Sequence, residues 1–220
     1  KIAAILSTWD KAIELKEKLI EQKKELKKGL MQKLITGKIR LPGFDGKWSK
    51  KSFEDIFTKI SVKKHQIKTT EYLEFGEYPV VDQGQKKIIA YSNDKDKVLK
   101  VPDTGLIVFG DHTREIKFID FDFVVGADGT QVLNTKEGYD LKFYYYHLLI
   151  QKIPNNGYSR HFKFLKEMIF FKPSLKEQKA ISNFLSTFDN ELDLLNSELK
   201  LLKQQKKGLM QLLLTGKVRV

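Results

Sequence analysis

The phrase KKGLMQKLITGKIRL near the start of the chain returns as KKGLMQLLLTGKVRV at its end. The offset is a constant 179 residues, and no gap is needed from Ile2 to Leu41. Leu6-Ser7-Thr8-Trp9-Asp10 matches Leu185-Ser186-Thr187-Phe188-Asp189, and Thr36-Gly37-Lys38 matches Thr215-Gly216-Lys217. An internal duplication of this kind constrains the architecture more than any other feature. Two equivalent segments must bracket whatever lies between them.

Both copies read as helix. In the second, Ile181, Phe188, Leu195, Leu202 and Leu209 recur every seven residues, and Leu185, Leu192, Leu199 and Leu213 form a row four places on. This 4-3 seam predicts a coiled coil, interrupted only at Lys206. The first copy is rougher. Lys16, Lys23 and Lys27 break its rows, and Leu19 and Leu26 sit one residue off, which predicts a wide stripe. Ser174 and Glu177 fit a capping box opening the second helix, and Thr-Gly closes both helices. Gly29 and Gly208 fit either a close helix–helix approach or a bend. At ~1.5 Å per residue, a helix of roughly 35 residues is about 50 Å long. A small domain cannot cover such a length, so the helices are expected to pack on each other or on a partner's helices. The first copy lacks the capping segment of the second, and the chain starts at Lys1 rather than Met. More sequence is therefore expected ahead of it.

Residues 42–172 have another texture. Pro42-Gly43 breaks the first helix, Ser52 to Ile56 reads as a short helix, and short β-like runs follow at Tyr78–Val81, Ile88–Tyr91, Leu106–Phe109, Lys117–Val125 and Gln131–Leu133. Leu141 to Lys152 reads as helix. The expected class is α+β: a mixed, mainly β domain over 42–172, flanked by long helices in 1–41 and 173–220.

Lysine and arginine number 40 against 28 acidic residues, a net charge of +12 that points to nucleic acid. Three polar turns supply donors: Gln83, Gln85, Lys86 and Lys87; His112, Thr113 and Arg114; and Asn155, Asn156, Tyr158, Ser159, Arg160 and His161. Such side chains read base edges and hold phosphates. The chain has no cysteine, which excludes disulfides and thiolate metal sites and suits a reducing cytoplasm. No apolar run approaches the ~20 residues of a membrane span. The four histidines lack ligand-like spacing, and neither a metal nor a cofactor is expected.

The motifs resemble those of the specificity subunit of type I restriction–modification enzymes. The residues that carry the likeness are Leu175-Lys176-Glu177-Gln178-Lys179-Ala180-Ile181, the repeated KKGLMQ with its Thr-Gly-Lys ending, and Arg40-Leu41-Pro42-Gly43-Phe44. Tyr78-Pro79-Val80, Asp111-His112-Thr113-Arg114 and Gly126-Ala127-Asp128-Gly129 add to it. The resemblance implies that the helices form an antiparallel coiled coil holding recognition domains apart like a ruler. It implies that each domain reads half of a bipartite site in double-stranded DNA. It further implies docking of methyltransferase subunits and, through them, of the restriction subunit, with no catalysis by this subunit. The first recognition domain is missing here. Either the chain is a half-subunit that forms a homodimer or it is the C-terminal half of a full subunit.

Two alternatives remain. Pro102-Asp103 followed by Glu115-Ile116-Lys117 fits the loose pattern of a magnesium-dependent nuclease, in which carboxylates hold the metal and lysine polarises water. A basic coiled-coil scaffold protein would bind DNA weakly and without sequence preference. There is no Asn-Pro-Pro-Tyr type tetrapeptide, glycine-rich cofactor loop or Walker lysine motif.

Overall fold

The structure, a computed structural model, describes residues 1–154 and 160–219. In chain order its elements are α1 (Ile2–Ile35), β1 (Ser49–Ser52), α2 (Phe53–Ile56), β2 (Phe57–Ile60), β3 (Tyr78–Val81), β4 (Ala90–Ser92) and β5 (Val98–Leu99). There follow β6 (Leu106–Gly110), β7 (Ile116–Ile119), β8 (Phe123–Val125), β9 (Thr130–Thr135), α3 (Leu141–Leu149), α4 (Phe162–Lys166), β10 (Ile169–Lys172) and α5 (Leu175–Leu214). The chain divides into two compact units. One joins Lys1–Lys33 to Asn183–Val220, and the other is Leu34–Ser182.

The first unit is a pair of antiparallel helices. The buried or half-buried positions of α1 include Ile2, Leu6, Trp9, Ile13, Lys16, Ile20, Lys23, Lys27 and Leu30, which alternate four and three apart. Leu185, Phe188, Leu192, Leu195, Leu199, Leu202, Lys206, Leu209 and Leu213 do the same in α5. From Leu6 to Lys27 the seam of α1 is thus strict rather than wide, with Leu19 and Leu26 38% and 51% exposed outside it, whereas at the helix ends Ile5 and Met31 are also covered. The lysines that break the apolar rows pair across the unit: Lys16 with Glu198 at 2.7 Å, Lys23 with Glu191 at 2.8 Å, Lys27 with Asp189, and Lys206 with Asp10. Lys203 meets Glu17 at 2.6 Å. As the α1 member advances from 10 to 27, its α5 partner falls from 206 to 189, so the helices run in opposite directions. Asp10 and Asp189 are equivalent in the duplication, and so are Lys27 and Lys206. Exchanging the copies therefore turns one ion pair into the other, and the unit has the isologous character of a two-fold interface. Ile181, the first expected seam residue, is fully buried but belongs to the other unit. A Cβ at Gly29 or Gly208 would meet nothing, so close helix approach does not account for either glycine. Gly37 and Gly216 both end their helices with φ of +71°, the left-handed C-terminal turn the sequence predicts.

The second unit holds two four-stranded sheets. One is antiparallel, in the order β2-β9-β6-β7; the other, β4-β3-β8-β5, contains the parallel pair β3–β8. β1 and β10 form a separate antiparallel pair. The sheets share a core of Val81, Leu99, Leu106, Val108, Ile119, Phe123, Val125 and Val132. β6 is buried along its whole length, which explains its unbroken Leu-Ile-Val-Phe run. Its alternate residues Ile107 and Phe109 point away from that core. The expected single strand from Lys117 to Val125 is broken. Its two halves join different sheets, because Asp122 turns aside to accept from Val101 N at 2.9 Å and Lys100 Nζ at 2.6 Å.

This unit runs wider than residues 42–172, because both ends are bonded into it. The Glu177 carboxylate, 2% exposed, accepts from Arg40 Nε at 2.5 Å, Arg40 Nη2 at 2.8 Å and Trp48 Nε1 at 3.0 Å. The Arg40 guanidinium also lies 5.1 Å from the Trp48 ring centroid. Gln178 donates to Pro173 O and accepts from Asp140 N.

His147 lies among Phe143, Tyr144, Phe170 and Phe171, and its Nε2 accepts from Phe171 N at 3.1 Å. Burial pushes its pKa down to about 4. The fold therefore holds the neutral ring. The associated stability is complete above the ordinary histidine value of about 6.5 and is lost as pH falls from there towards 4. The expected loss is about 3 kcal/mol by pH 4. Denaturant titrations of the wild type and of His147→Gln across this window check it: the slope between pH 6.5 and 5 should be present in the first and flattened in the second. Equal slopes would show that another group carries it.

Candidate nucleic-acid interface

Three connecting segments meet at one end of the second unit, for a topological reason. β3 and β8 are parallel, so the segments leaving them, 82–87 and 126–129, emerge side by side. β9 begins opposite the end of β6, where Thr130 pairs with Gly110, and this brings the segment 111–115 to the same place.

Gln83 ties the three together. Its Nε2 donates to Asp128 O at 2.9 Å, its Oε1 accepts from His112 N at 3.1 Å, and its carbonyl accepts from Thr113 Oγ1 at 2.5 Å. Asp111 N donates to Gly129 O at 2.8 Å, and Gly126 N to Val81 O at 2.8 Å. Gly129 has φ of +88°, and a side chain there would strike Gln83 and His112. Beneath the knot lies Lys117, 7% exposed on β7. Its ammonium donates to Asp82 O at 2.8 Å and Lys86 O at 2.6 Å, and it lies 3.7 Å from the Asp82 carboxylate. Burial pushes its pKa down, while Asp82 and Glu115 act in the opposite direction.

The expected contact residues divide into two groups. Gln85, Lys86, Lys87, Thr113 and Arg160 are exposed and Arg114 is half-buried. Lys87 reaches Asp120 at 3.2 Å and covers the Phe121 ring. Among the described residues Arg114 is the non-glycine residue with positive φ, +66°, a conformation that costs roughly 1–2 kcal/mol and is common at functional sites. Its Nη1 donates to Ile153 O at 3.3 Å beside a groove of about 490 Å³. Gln83, the His112 backbone and the Thr113 hydroxyl serve instead as internal ties. His161 is fully buried. Its N donates to Asp111 O, Phe162 N donates to Asp111 Oδ1, and the residue anchors its segment rather than facing solvent. Asn155, Asn156, Tyr158 and Ser159 lie outside the described residues.

The sequence reading missed a second open groove, of about 640 Å³, lined by Lys63, Lys68, Thr69, Thr70, Lys97 and Asp128. Asp128 connects it to the Gln83 knot. Lys63 and Lys68 come from one basic stretch, and Lys97 joins them from about thirty residues on, so the groove itself has no local signature.

The nuclease alternative fails on geometry. Asp103 sits in the tight turn before β6, where Gly105 N donates to Pro102 O, and Glu115 stands just before β7. In this hairpin Leu106 pairs with Ile119 and Phe109 with Ile116, which sets the two carboxylates at opposite ends. The Lys117 ammonium is engaged by backbone carbonyls. Among the described residues no group of three or more His, Cys, Asp or Glu is placed to hold a metal, and no helix is long and apolar enough to cross a membrane.

Residues 45–204 match the family model described as "Type I restriction modification DNA specificity domain". The "Putative type I restriction enzyme MjaX specificity subunit" of Methanocaldococcus jannaschii is 29% identical over an alignment covering 100% of this chain and 57% of that protein. The type I restriction-modification S subunit of M. genitalium has a similar fold, with a TM-score of 0.71 at 19% identity, covering 94% of this chain and 58% of the other. The HsdS subunit of Thermoanaerobacter tengcongensis gives 0.54 at 14% identity, over 96% of this chain and 56% of the other. The chain thus spans rather more than half the length of the relatives it matches.

Proposed function

The chain belongs to the family of type I restriction modification DNA specificity domains, and on that premise we propose that it recognises one half of a bipartite site in double-stranded DNA. The observation that carries the reading is the convergence on one knot of three loops, two of them rich in donors, with the groove lined by Lys63, Lys68 and Lys97 adjoining it. In this reading Gln85, Lys86, Lys87, Arg114 and Arg160, with Asn155, Asn156, Tyr158 and Ser159, face the duplex. Some read base edges, and Lys63, Lys68 and Lys97 hold phosphates and fix the register. The protein supplies recognition and no chemistry. The helical unit docks the methyltransferase subunits and, through them, the restriction subunit. A second recognition domain, in a longer chain or in a homodimer, reads the other half-site. Such a complex works on DNA in the cytoplasm.

Selection of bound duplexes from a random library at about 0.15 M salt tests the reading, since that ionic strength weakens the sequence-blind attraction of lysines for phosphates. One short enriched motif is expected. In a dimer it should appear twice, inverted and at fixed spacing. Affinity that follows salt alone, with no motif enriched, would sink the proposal and leave a basic scaffold.

A further inference from the structure

We propose that Lys117 and Thr113 are positioning residues for sequence choice: from inside the domain they hold the segment 82–87 in the one shape that presents Gln85 to a base pair. The inference rests on the DNA-reading role proposed above. A lysine is an expensive strut, since burial disfavours its charge. Lys117 nevertheless keeps its ammonium under the loop, on Asp82 O and Lys86 O. Those two carbonyls flank residues 83–85. Asp82 Oδ1 accepts from Gly84 N at 2.8 Å, which turns the chain between them. The Thr113 hydroxyl fixes the Gln83 carbonyl from the other side and accepts from Glu115 N at 3.2 Å. Both bonds of the Thr113 hydroxyl are internal, and Lys117 is too buried to reach a duplex. Their effect on DNA must pass through the loop. A reading side chain must be held to within a fraction of an ångström to keep a bidentate geometry, and rigid support of this kind supplies it.

The test compares wild type, Lys117→Met, Thr113→Val and Gln85→Ala on the selected duplex and on a scrambled one. Lys117→Met and Thr113→Val should each lower the ratio of the two affinities by about tenfold or more. Binding to the scrambled duplex and its salt dependence should stay within about twofold of wild type. Renewed selection should relax the same base pair in both variants as in Gln85→Ala. A smaller fall in the ratio overturns the proposal. So does an equal loss on both duplexes with a shallower salt dependence, which would mark a phosphate ligand, or relaxation at a different base pair. Should Lys117→Met not fold, the near-isosteric Thr113→Val decides alone. A wild type with no preference between the duplexes refutes the DNA-reading role itself, a separate result read from the wild type, and the positioning role falls with it.

Discussion

Glu177→Ala is expected to lower the unfolding free energy by about 3–5 kcal/mol, because it removes one side of a buried ion pair and strands the other. Glu177 accepts three hydrogen bonds, two of them from the fork of Arg40 and one from Trp48. After truncation the guanidinium, whose side chain is 25% exposed, keeps only its bond to Gly46 O and its place near the Trp48 ring. The bidentate geometry and the burial of the Glu177 carboxylate separate this pair from the ion pairs of the helices, whose carboxylates are 37–61% exposed and which are worth about 0.2–1 kcal/mol each. Denaturant unfolding of Glu177→Ala, Arg40→Met and the double variant measures it. The double variant should be less destabilised than the two singles together, since replacing both members removes the stranded charge. A single-variant loss under about 1 kcal/mol would show that water takes over the role of the carboxylate.

Glu177 also marks where local sequence stops being a guide. Its spacing from Ser174 predicts a capping box, and half of that box exists: Ser174 Oγ accepts from Glu177 N at 3.3 Å. The carboxylate that should complete it goes to Arg40 and Trp48, residues 137 and 129 positions away. The two helices were legible because a duplication and a 4-3 period are local signals. The short helix α2 was legible for the same reason, since its signals span a few residues, and the structure adds a cap in which Ser52 Oγ accepts from Asp55 N. The break at Asp120 to Asp122 was not, because it depends on the two halves choosing different sheets. Nor was the knot at the loops. Gln83 looks like a free donor in the sequence and is a three-way tie in the fold. Lys117 looks like part of a nuclease pattern and is a strut. Both roles exist only once β3 and β8 lie parallel, and no periodicity announces that pairing.

Ile20→Asp is expected to destabilise the helical unit by about 3 kcal/mol or more, through a lost apolar contact and a carboxylate placed in a dry seam. Ile20 is 4% exposed, whereas Leu15, off the seam, is 58% exposed and Leu15→Asp should cost little. Helicity followed by circular dichroism during denaturation reads the contrast: the first variant should lose helix early, the second along with wild type. Equal behaviour would mean that the charges, not the apolar ladder, hold the helices together. The magnitudes argue otherwise. Ion pairs with carboxylates this exposed contribute a few tenths to one kcal/mol each, while fully burying an apolar seam side chain such as Ile20 contributes about 1.5–3 kcal/mol. The charges do something the leucines cannot, which is to choose direction and register. Lys16, Lys23 and Lys27 interrupt one helix, and Glu198, Glu191 and Asp189 meet them only when α5 runs backwards. Exchanging the partners of one pair, as Lys27→Asp with Asp189→Lys, should therefore restore what either change alone removes. The lysines that look like flaws in the first repeat are what make its pairing with the second unique.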